Sequence, residues 1–248
     1  MSVANFRFYA ELNDFLAPER RFTEFPYSFL DVATVKDRIE SFGVPHTEVD
    51  LILANGRSVD FTYRVQDRDR ISVYPVFEAL DIAGLTRLRP EPLRDPQFVL
   101  DVHLGRLAGY LRMLGFDTLY RNHCAGERLA EISCREHRIL LTRDAGLLKR
   151  ASVTHGYYLR ATHPRQQLAE VVARFDLGRL AKSLSRCLRC NTLLAQVGKD
   201  DVRHLLPVQV ALLDDEFLRC PDCKRVYWES GHFRRMRQFI DASMQGRG

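Results

Sequence analysis

The chain has 248 residues, of which 46% are hydrophobic and 28% charged, and its mean hydropathy is −0.25. This composition is typical of globular proteins and excludes fibrous, disordered and disulfide-scaffold classes. No stretch approaches the roughly 18 uninterrupted apolar residues of a membrane-spanning helix, and the N-terminus has no secretory signal pattern. We therefore expect a cytoplasmic protein without membrane contact, whose six cysteines favour metal binding or chemistry over disulfides.

Charge is unevenly distributed along the chain. Residues 1–80 carry 9 basic and 13 acidic side chains, whereas residues 81–248 carry 28 basic and 19 acidic ones. This split suggests separate domains, with the basic part meeting a polyanion such as nucleic acid. An ordinary basic surface in water explains the same distribution, so charge alone leaves both interpretations open.

Residues 1–80 predict a small α+β domain. An alternating strand covers Phe6–Ala10, and a helix runs from its N-cap Thr34 to a stop at Gly43. An apolar run, an Asn-Gly turn and a closing strand follow. The order of strand, helix and further strands is typical of a small α+β roll.

Four stretches of this domain carry a family resemblance: Val35-Lys36-Asp37, Gly43-Val44-Pro45-His46, Asn55-Gly56 and Asp69-Arg70-Ile71-Ser72-Val73-Tyr74-Pro75. They resemble the ubiquitin-like sulfur-carrier family, which implies a β-grasp fold. A carrier ends in an activated Gly-Gly, but the matching stretch at 74–80 has no glycine and the chain continues beyond it. We therefore expect a ubiquitin-like accessory module that contacts a protein partner or positions a substrate.

The next two segments predict a linker and an α/β domain. Residues 81–97 contain clustered prolines and no periodicity, which indicates a linker. Residues 98–176 alternate apolar strands with amphipathic helices, which predicts a small parallel sheet covered on both faces. The predicted strands are 98–100, 117–120, 138–142 and 157–160, and the principal helices are 104–114, 127–135 and 164–175.

Acidic residues follow two of these strands. Asp101 ends the first strand, and Asp144 follows the strand at 138–142 after one arginine. Because ligands of open α/β sheets bind at the carboxyl ends of strands, these carboxylates could hold Mg²⁺ or Mn²⁺, with Glu127 as a third ligand. Alternatively, each acid stabilises the N-terminus of a helix. The convergence of three acids favours the metal site.

Residues 177–248 contain two Cys-x-x-Cys pairs, Cys187/Cys190 and Cys220/Cys223, and end in an arginine-rich helix. Two such pairs close a tetrahedral site of four thiolates, in which zinc is structural because no coordination position stays open. A pair of redox-active dithiols is the alternative. We predict a zinc ribbon with a basic C-terminal helix.

Motifs from the last two domains carry a second resemblance: Asp101-x-x-x-Gly105-Arg106-Leu107-Ala108, Tyr110-Leu111-Arg112-x-Leu114-Gly115-Phe116-Asp117-Thr118, Ile139-Leu140-Leu141-Thr142-Arg143-Asp144, Arg186-Cys187-x-x-Cys190 and Cys220-Pro221-x-Cys223-x-Arg225-Val226-Tyr227-Trp228. They resemble the Mut-seven C-terminal ribonuclease family over about residues 98–240. The resemblance implies a PIN-like nuclease domain, an appended zinc ribbon and a metal-dependent hydrolase acting on RNA phosphodiester bonds. It also matches Asp101 and Asp144 to the family's acids.

These observations predict a metal-dependent ribonuclease. Asp101, Glu127 and Asp144 are the predicted catalytic residues, and Asp101 and Asp144 would hold Mg²⁺ or Mn²⁺ that activates a water. Three arginines near these acids could contact RNA phosphates: Arg106, Arg112 and Arg143. The stretch 121–127 departs from the family because only Glu127 is acidic there. The alternative is a non-catalytic RNA-binding or regulatory protein that keeps the PIN-like fold.

Overall fold

A computed structural model describes residues 1–75, 95–212, 216–231, 233–235 and 237–239. The chain divides into two compact units: the first is Met1–Asp95 with Gly126–Tyr158, and the second is Pro96–Ala125 with Leu159–Gly248. Each unit is thus assembled from two separate stretches of sequence. Most of the predicted linker, from 81 to 94, lies outside the described residues. In the described ranges, no helix has both the length and the apolar character needed to cross a membrane.

The N-terminal module forms the expected β-grasp fold. Its elements are β1 (Ser2–Phe8), β2 (Glu24–Phe29), α1 (Val35–Ser41), β3 (Val49–Ala54), β4 (Arg57–Val59) and β5 (Arg70–Pro75). The five strands form one mixed sheet in the order β2-β1-β5-β3-β4, in which β1 and β5 are parallel. Phe6 and Phe8 alternate with the exposed Arg7 on β1, so their rings are buried in one core with Ile39 of α1.

Helix α1 begins and ends where the sequence predicts. Thr34 accepts a hydrogen bond from the Asp37 backbone N–H, and the Asp37 carboxylate accepts one from the Thr34 backbone N–H, which is a capping box. After the helix, Gly43 has φ +106°, and a Cβ there would lie 2.7 Å from the carbonyl oxygen of Phe15. The left-handed backbone and this close approach explain the glycine.

The alternating segment also forms the predicted strands and helices. They are β6 (Phe98–Leu100), α2 (Gly105–Met113), β7 (Thr118–Tyr120), α3 (Gly126–Glu136), β8 (Ile139–Thr142), α4 (Ala145–Leu148), β9 (Gly156–Tyr158) and α5 (Pro164–Arg174). Strands β6 and β7 pair in parallel within the second unit, and strands β8 and β9 pair in parallel within the first unit. Every residue of β6 and β8 is buried, as expected for strands covered on both faces.

The C-terminal segment forms a small three-stranded antiparallel sheet. The strands of this sheet are β10 (Ala195–Val197), β11 (Phe217–Arg219) and β12 (Val226–Tyr227), and two short helices, α6 (Lys199–Val202) and α7 (Val208–Ala211), lie between β10 and β11 in the chain. Strand β11 lies between β10 and β12. The described positions between 231 and 239 are helical, in agreement with the predicted basic helix.

Within the first unit, the β-grasp module packs against the stretch 126–158 through polar contacts. The buried His46 places Nε2 2.8 Å from the Val153 carbonyl oxygen, to which Nε2–H donates, and Nδ1 2.6 Å from Oε1 of Glu40. The Tyr158 backbone N–H donates to Oε1 of Glu48 at 2.7 Å. The module is therefore a structural part of this unit.

Candidate active site and metal centre

Asp101 lies directly after β6 in the second unit, at the carboxyl end of a buried strand. Its Oδ1 accepts a hydrogen bond of 2.7 Å from the Val102 backbone N–H and thereby caps the short 3-10 helix Val102–Leu104. The side chain is half-buried. The helix cap, which the sequence offered as an alternative, is thus present.

Asp144 and Glu127 belong to the first unit. Asp144 is exposed and caps α4, because its Oδ1 accepts from the backbone N–H groups of Gly146 at 2.8 Å and Leu147 at 3.3 Å. Within the described residues, its Oδ2 has no protein hydrogen bond and can serve as a metal ligand. Glu127 is exposed in the first turn of α3. The two acids therefore present carboxylate oxygen, the donor that Mg²⁺ and Mn²⁺ prefer.

The four cysteines lie together in the second unit. Their sulfur atoms are all within 4.8 Å of one another, with Cys187 and Cys223 3.5 Å apart and Cys190 and Cys220 3.4 Å apart. A tetrahedral zinc site with Zn–S bonds of about 2.3 Å needs sulfur separations of roughly 3.8 Å, so the donor set fits zinc. Across the described residues, no other group of three or more histidine, cysteine and acidic side chains has its ligand atoms this close together.

Electrostatics at this centre favour a thiolate at Cys190. Burial raises the pKa of the Cys190 thiol, but hydrogen bonds from Thr192 and from the Cys187 and Cys220 thiols outweigh that effect and lower the pKa to about 6. Thiolate is the form that binds metal. Burial and the hydrogen bond to Cys190 raise the pKa of the neighbouring Cys220 thiol to about 12, so metal binding there would have to release its proton.

The structure corrects the role predicted for Arg112. Its side chain is buried, at 6% exposure, and its guanidinium donates to three carbonyl oxygens: Thr118 at 3.0 Å, Leu188 at 3.0 Å and Arg189 at 2.8 Å. The expectation that Arg112 contacts RNA phosphates is wrong, because its side chain is buried and its Nε and Nη1 groups donate to carbonyl oxygens inside the protein. A signal was present in the sequence, since position 112 lies four residues after Ala108, which is on the apolar face of α2.

Asp117 and Asn191 form a second connection between the α/β segment and the cysteine cluster. The Asn191 side-chain amide donates to Oδ1 of Asp117 at 2.9 Å, and its oxygen accepts from the Thr118 backbone N–H at 3.0 Å. Arg186 lies 3.4 Å from Oδ2 of Asp117. Asn191 directly follows Cys190 and has φ +71°, so it shapes the first Cys-x-x-Cys turn. Sequence reasoning missed this network.

Two family models match the chain. One, described as the Mut7-C RNAse domain, covers residues 96–240, and the other, described as Mut7-C ubiquitin, covers residues 1–81. The first match alone spans more than half of the chain. The chain belongs to the Mut7-C RNase domain family. The Mut7-C resemblance and the ubiquitin-like N-terminal module inferred from the sequence are thus confirmed, although no curated protein and no solved structure matches the chain.

Two of the three arginines predicted to contact RNA, Arg106 and Arg143, lie at the protein surface. Arg106 lies in the first turn of α2, five residues after Asp101, and Arg143 lies between β8 and Asp144. Both side chains are exposed. Unlike Arg112, they can reach a polyanion in solution, so their proposed role is retained below.

Proposed function

We propose that this Mut7-C protein is a metal-dependent ribonuclease that hydrolyses RNA phosphodiester bonds. The observation that carries the proposal is the position of Asp101 and Asp144. Each acid follows a buried parallel strand at its carboxyl end, inside the stretch that the RNase-domain model matches. In open α/β sheets this end of the strands is where ligands bind. Acids at the carboxyl ends of such strands are suited to holding the ion that a phosphodiesterase needs.

In the proposed site, Asp101 and Asp144 hold Mg²⁺ or Mn²⁺ and Glu127 supplies a further carboxylate. Such an ion, when bound, activates a water and neutralises charge on the scissile phosphate. The hydrogen bonds to Oδ1 of Asp101 and of Asp144 fix the orientation of both carboxylates. Arg106 and Arg143 attract neighbouring phosphates, an interaction that weakens as salt increases.

We also propose that the four cysteines hold a structural zinc ion. Four sulfur ligands leave no open position, so the ion would not take part in hydrolysis. Its role would be to hold the two Cys-x-x-Cys turns together. The first of these turns is hydrogen-bonded to α2 through Arg112 and to β7 through Asn191. A protein partner of the ubiquitin-like module and a cytoplasmic location stay predictions from the sequence.

The test is cleavage of end-labelled single-stranded and structured RNAs with Mg²⁺ or Mn²⁺. We expect Asp101→Asn and Asp144→Asn each to lower the cleavage rate by about 100-fold or more, because each removes charge from the proposed ion site. Asp176→Asn is a matched control, since Asp176 is exposed and makes no side-chain cap hydrogen bond. Circular dichroism and zinc content verify that every variant is folded.

The contrary result is a folded, zinc-loaded wild type that binds RNA but leaves it intact with both metals. That result favours the second candidate, a non-catalytic RNA-binding protein. The observation behind this candidate is that Asp101 and Asp144 both act as helix caps, while the stretch 121–126 contains no acid. RNA affinity that is equal in wild type and Asp101→Asn, without cleavage in either, would identify it.

A further inference from the structure

A cavity of about 500 Å³ opens in the second unit, beginning one residue after Asp101. Three elements enclose it: the turn into α2, the end of β7 and the start of α5. Its volume lies within the range of about 300–1,000 Å³ that is typical of small-molecule sites. The cavity is therefore large enough to enclose one building block of a nucleic acid.

The wall of this cavity carries positive charge and no compensating acid. Its basic residues are His103 and Arg106, both exposed, and none of the described residues that line it is an aspartate or a glutamate. A guanidinium binds phosphate oxygens with two parallel hydrogen bonds. An anionic ligand, and a phosphate in particular, suits this wall.

An aromatic ring is fixed in the same wall. The Tyr120 hydroxyl donates to the Val102 carbonyl oxygen at 2.8 Å, which restrains the ring. Gly105 makes room for it, because a Cβ at that position would lie 2.7 Å from the Tyr120 hydroxyl oxygen. Aromatic rings held beside basic side chains are the surfaces on which proteins stack unpaired bases.

An oriented amide completes the wall. Gln167 is buried, and its side-chain nitrogen donates to the carbonyl oxygens of Ala161 at 3.0 Å and Thr162 at 3.5 Å. These bonds fix the amide plane and leave its oxygen as the acceptor of this side chain. Asn122, which is exposed, adds a second amide to the lining. Amides at fixed positions are suited to the hydrogen-bonding edge of a base.

We propose that this cavity is a subsite for one unpaired nucleotide of RNA, with the phosphate bound by Arg106 and His103 and the base packed against Tyr120. The inference rests on the proposed function and specifies its substrate. A base inside a duplex cannot enter such a cavity without leaving its stack, which costs unpairing and unstacking energy. The substrate is therefore single-stranded RNA or an unpaired end.

The test uses the full-length, zinc-loaded protein and adenosine 5′-monophosphate as the probe, with binding measured by calorimetry. We expect Arg106→Ala and Tyr120→Leu each to raise the Kd by about tenfold or more. Tyr120→Phe keeps the ring and should retain binding within about twofold of the wild type. Arg179→Ala is the matched control, since Arg179 is exposed and does not line the cavity.

Arg106 is exposed, so we expect Arg106→Ala to fold and to test the subsite even if Tyr120→Leu does not fold. Binding that is undetectable in wild type, or equally tight in Arg106→Ala, overturns the subsite. RNA cleavage by wild type and Asp101→Asn, measured in parallel, tests the proposed function separately. Cleavage without nucleotide binding refutes only the subsite, whereas Arg106-dependent binding without cleavage refutes only the nuclease.

Discussion

At the scale of single residues, Arg112 links helix α2 to the first cysteine pair. Its guanidinium donates to the carbonyls of Leu188 and Arg189, the two residues between Cys187 and Cys190. Burial lowers the pKa of Arg112, whereas the nearby sulfur atoms of both cysteines act in the opposite direction. Thiolates bound to zinc carry net negative charge, so the buried cation is expected to stabilise the loaded site.

We predict that Arg112→Ala lowers the free energy of unfolding by about 3 kcal/mol, because buried carbonyl oxygens lose their donor. Urea unfolding of the zinc-loaded protein measures this change, and a chelator titration should show easier zinc release. Arg106→Ala, at an exposed position, is the control and should change stability by only about 0.5 kcal/mol or less. Equal unfolding midpoints for Arg112→Ala and wild type would argue against the structural role.

At the scale of elements, the cysteine-bearing sheet is too small to be stable by apolar burial alone. Its strands have three, three and two residues, and Phe217 is the largest fully buried side chain within them. Short segments of this kind obtain their folding free energy from metal binding. We therefore expect metal binding by the four cysteines to determine whether the sheet forms.

Removing the metal should unfold this sheet and leave the β-grasp module intact. We predict that Cys187→Ser, or treatment with a zinc chelator, abolishes amide-exchange protection in β10 and β11 while β1 and β5 keep theirs. Cys134→Ser is the control, because Cys134 is exposed and lies outside the cysteine group. Unchanged protection in β10 and β11 after verified loss of the metal would contradict a structural zinc site.

Local chemistry explains which elements could be predicted from the sequence. Leu104, Leu107, Ala108 and Leu111 predicted α2. Gly115 ends the helix because its backbone is left-handed, with φ +94°, and a Cβ there would clash with the Lys182 carbonyl oxygen, so glycine is required. Capping residues and periodicity depend on near neighbours, so the sequence displays them. The spacing of each cysteine pair likewise predicted the cluster.

The polar contacts around the cluster could not be predicted in the same way. The carbonyl partners of Arg112 in the cysteine turn lie 76 and 77 residues away, and Asn191 lies 74 residues from Asp117. These pairs are set by how distant segments pack, which no local pattern encodes. The acids Asp101 and Asp144 were placed at their strand ends from the sequence, but their ion site stays a prediction.

At the scale of the whole molecule, the ubiquitin-like module supports the stretch that carries two of the three predicted catalytic acids. Lys149, at the C-terminal end of α4, donates to the Glu40 carbonyl oxygen at 3.1 Å, and Glu48 accepts from the Tyr158 backbone N–H in β9. Asp144 caps the other end of α4. The module thus contributes to the position of Asp144, in addition to any contact with a partner.

A substitution of Glu48 tests whether the module supports this stretch, because Glu48 is almost fully buried, at 2% exposure. Glu48→Ala leaves the Tyr158 backbone N–H without this acceptor, which should cost about 2 kcal/mol and reduce amide-exchange protection in β9 roughly 30-fold. If the nuclease proposal holds, RNA cleavage should fall as well, since α4 and Asp144 lose their support. Glu19→Ala removes the same charge from an exposed position of the module and should leave both measurements unchanged. Wild-type protection of β9 in Glu48→Ala would show that the module does not support this stretch.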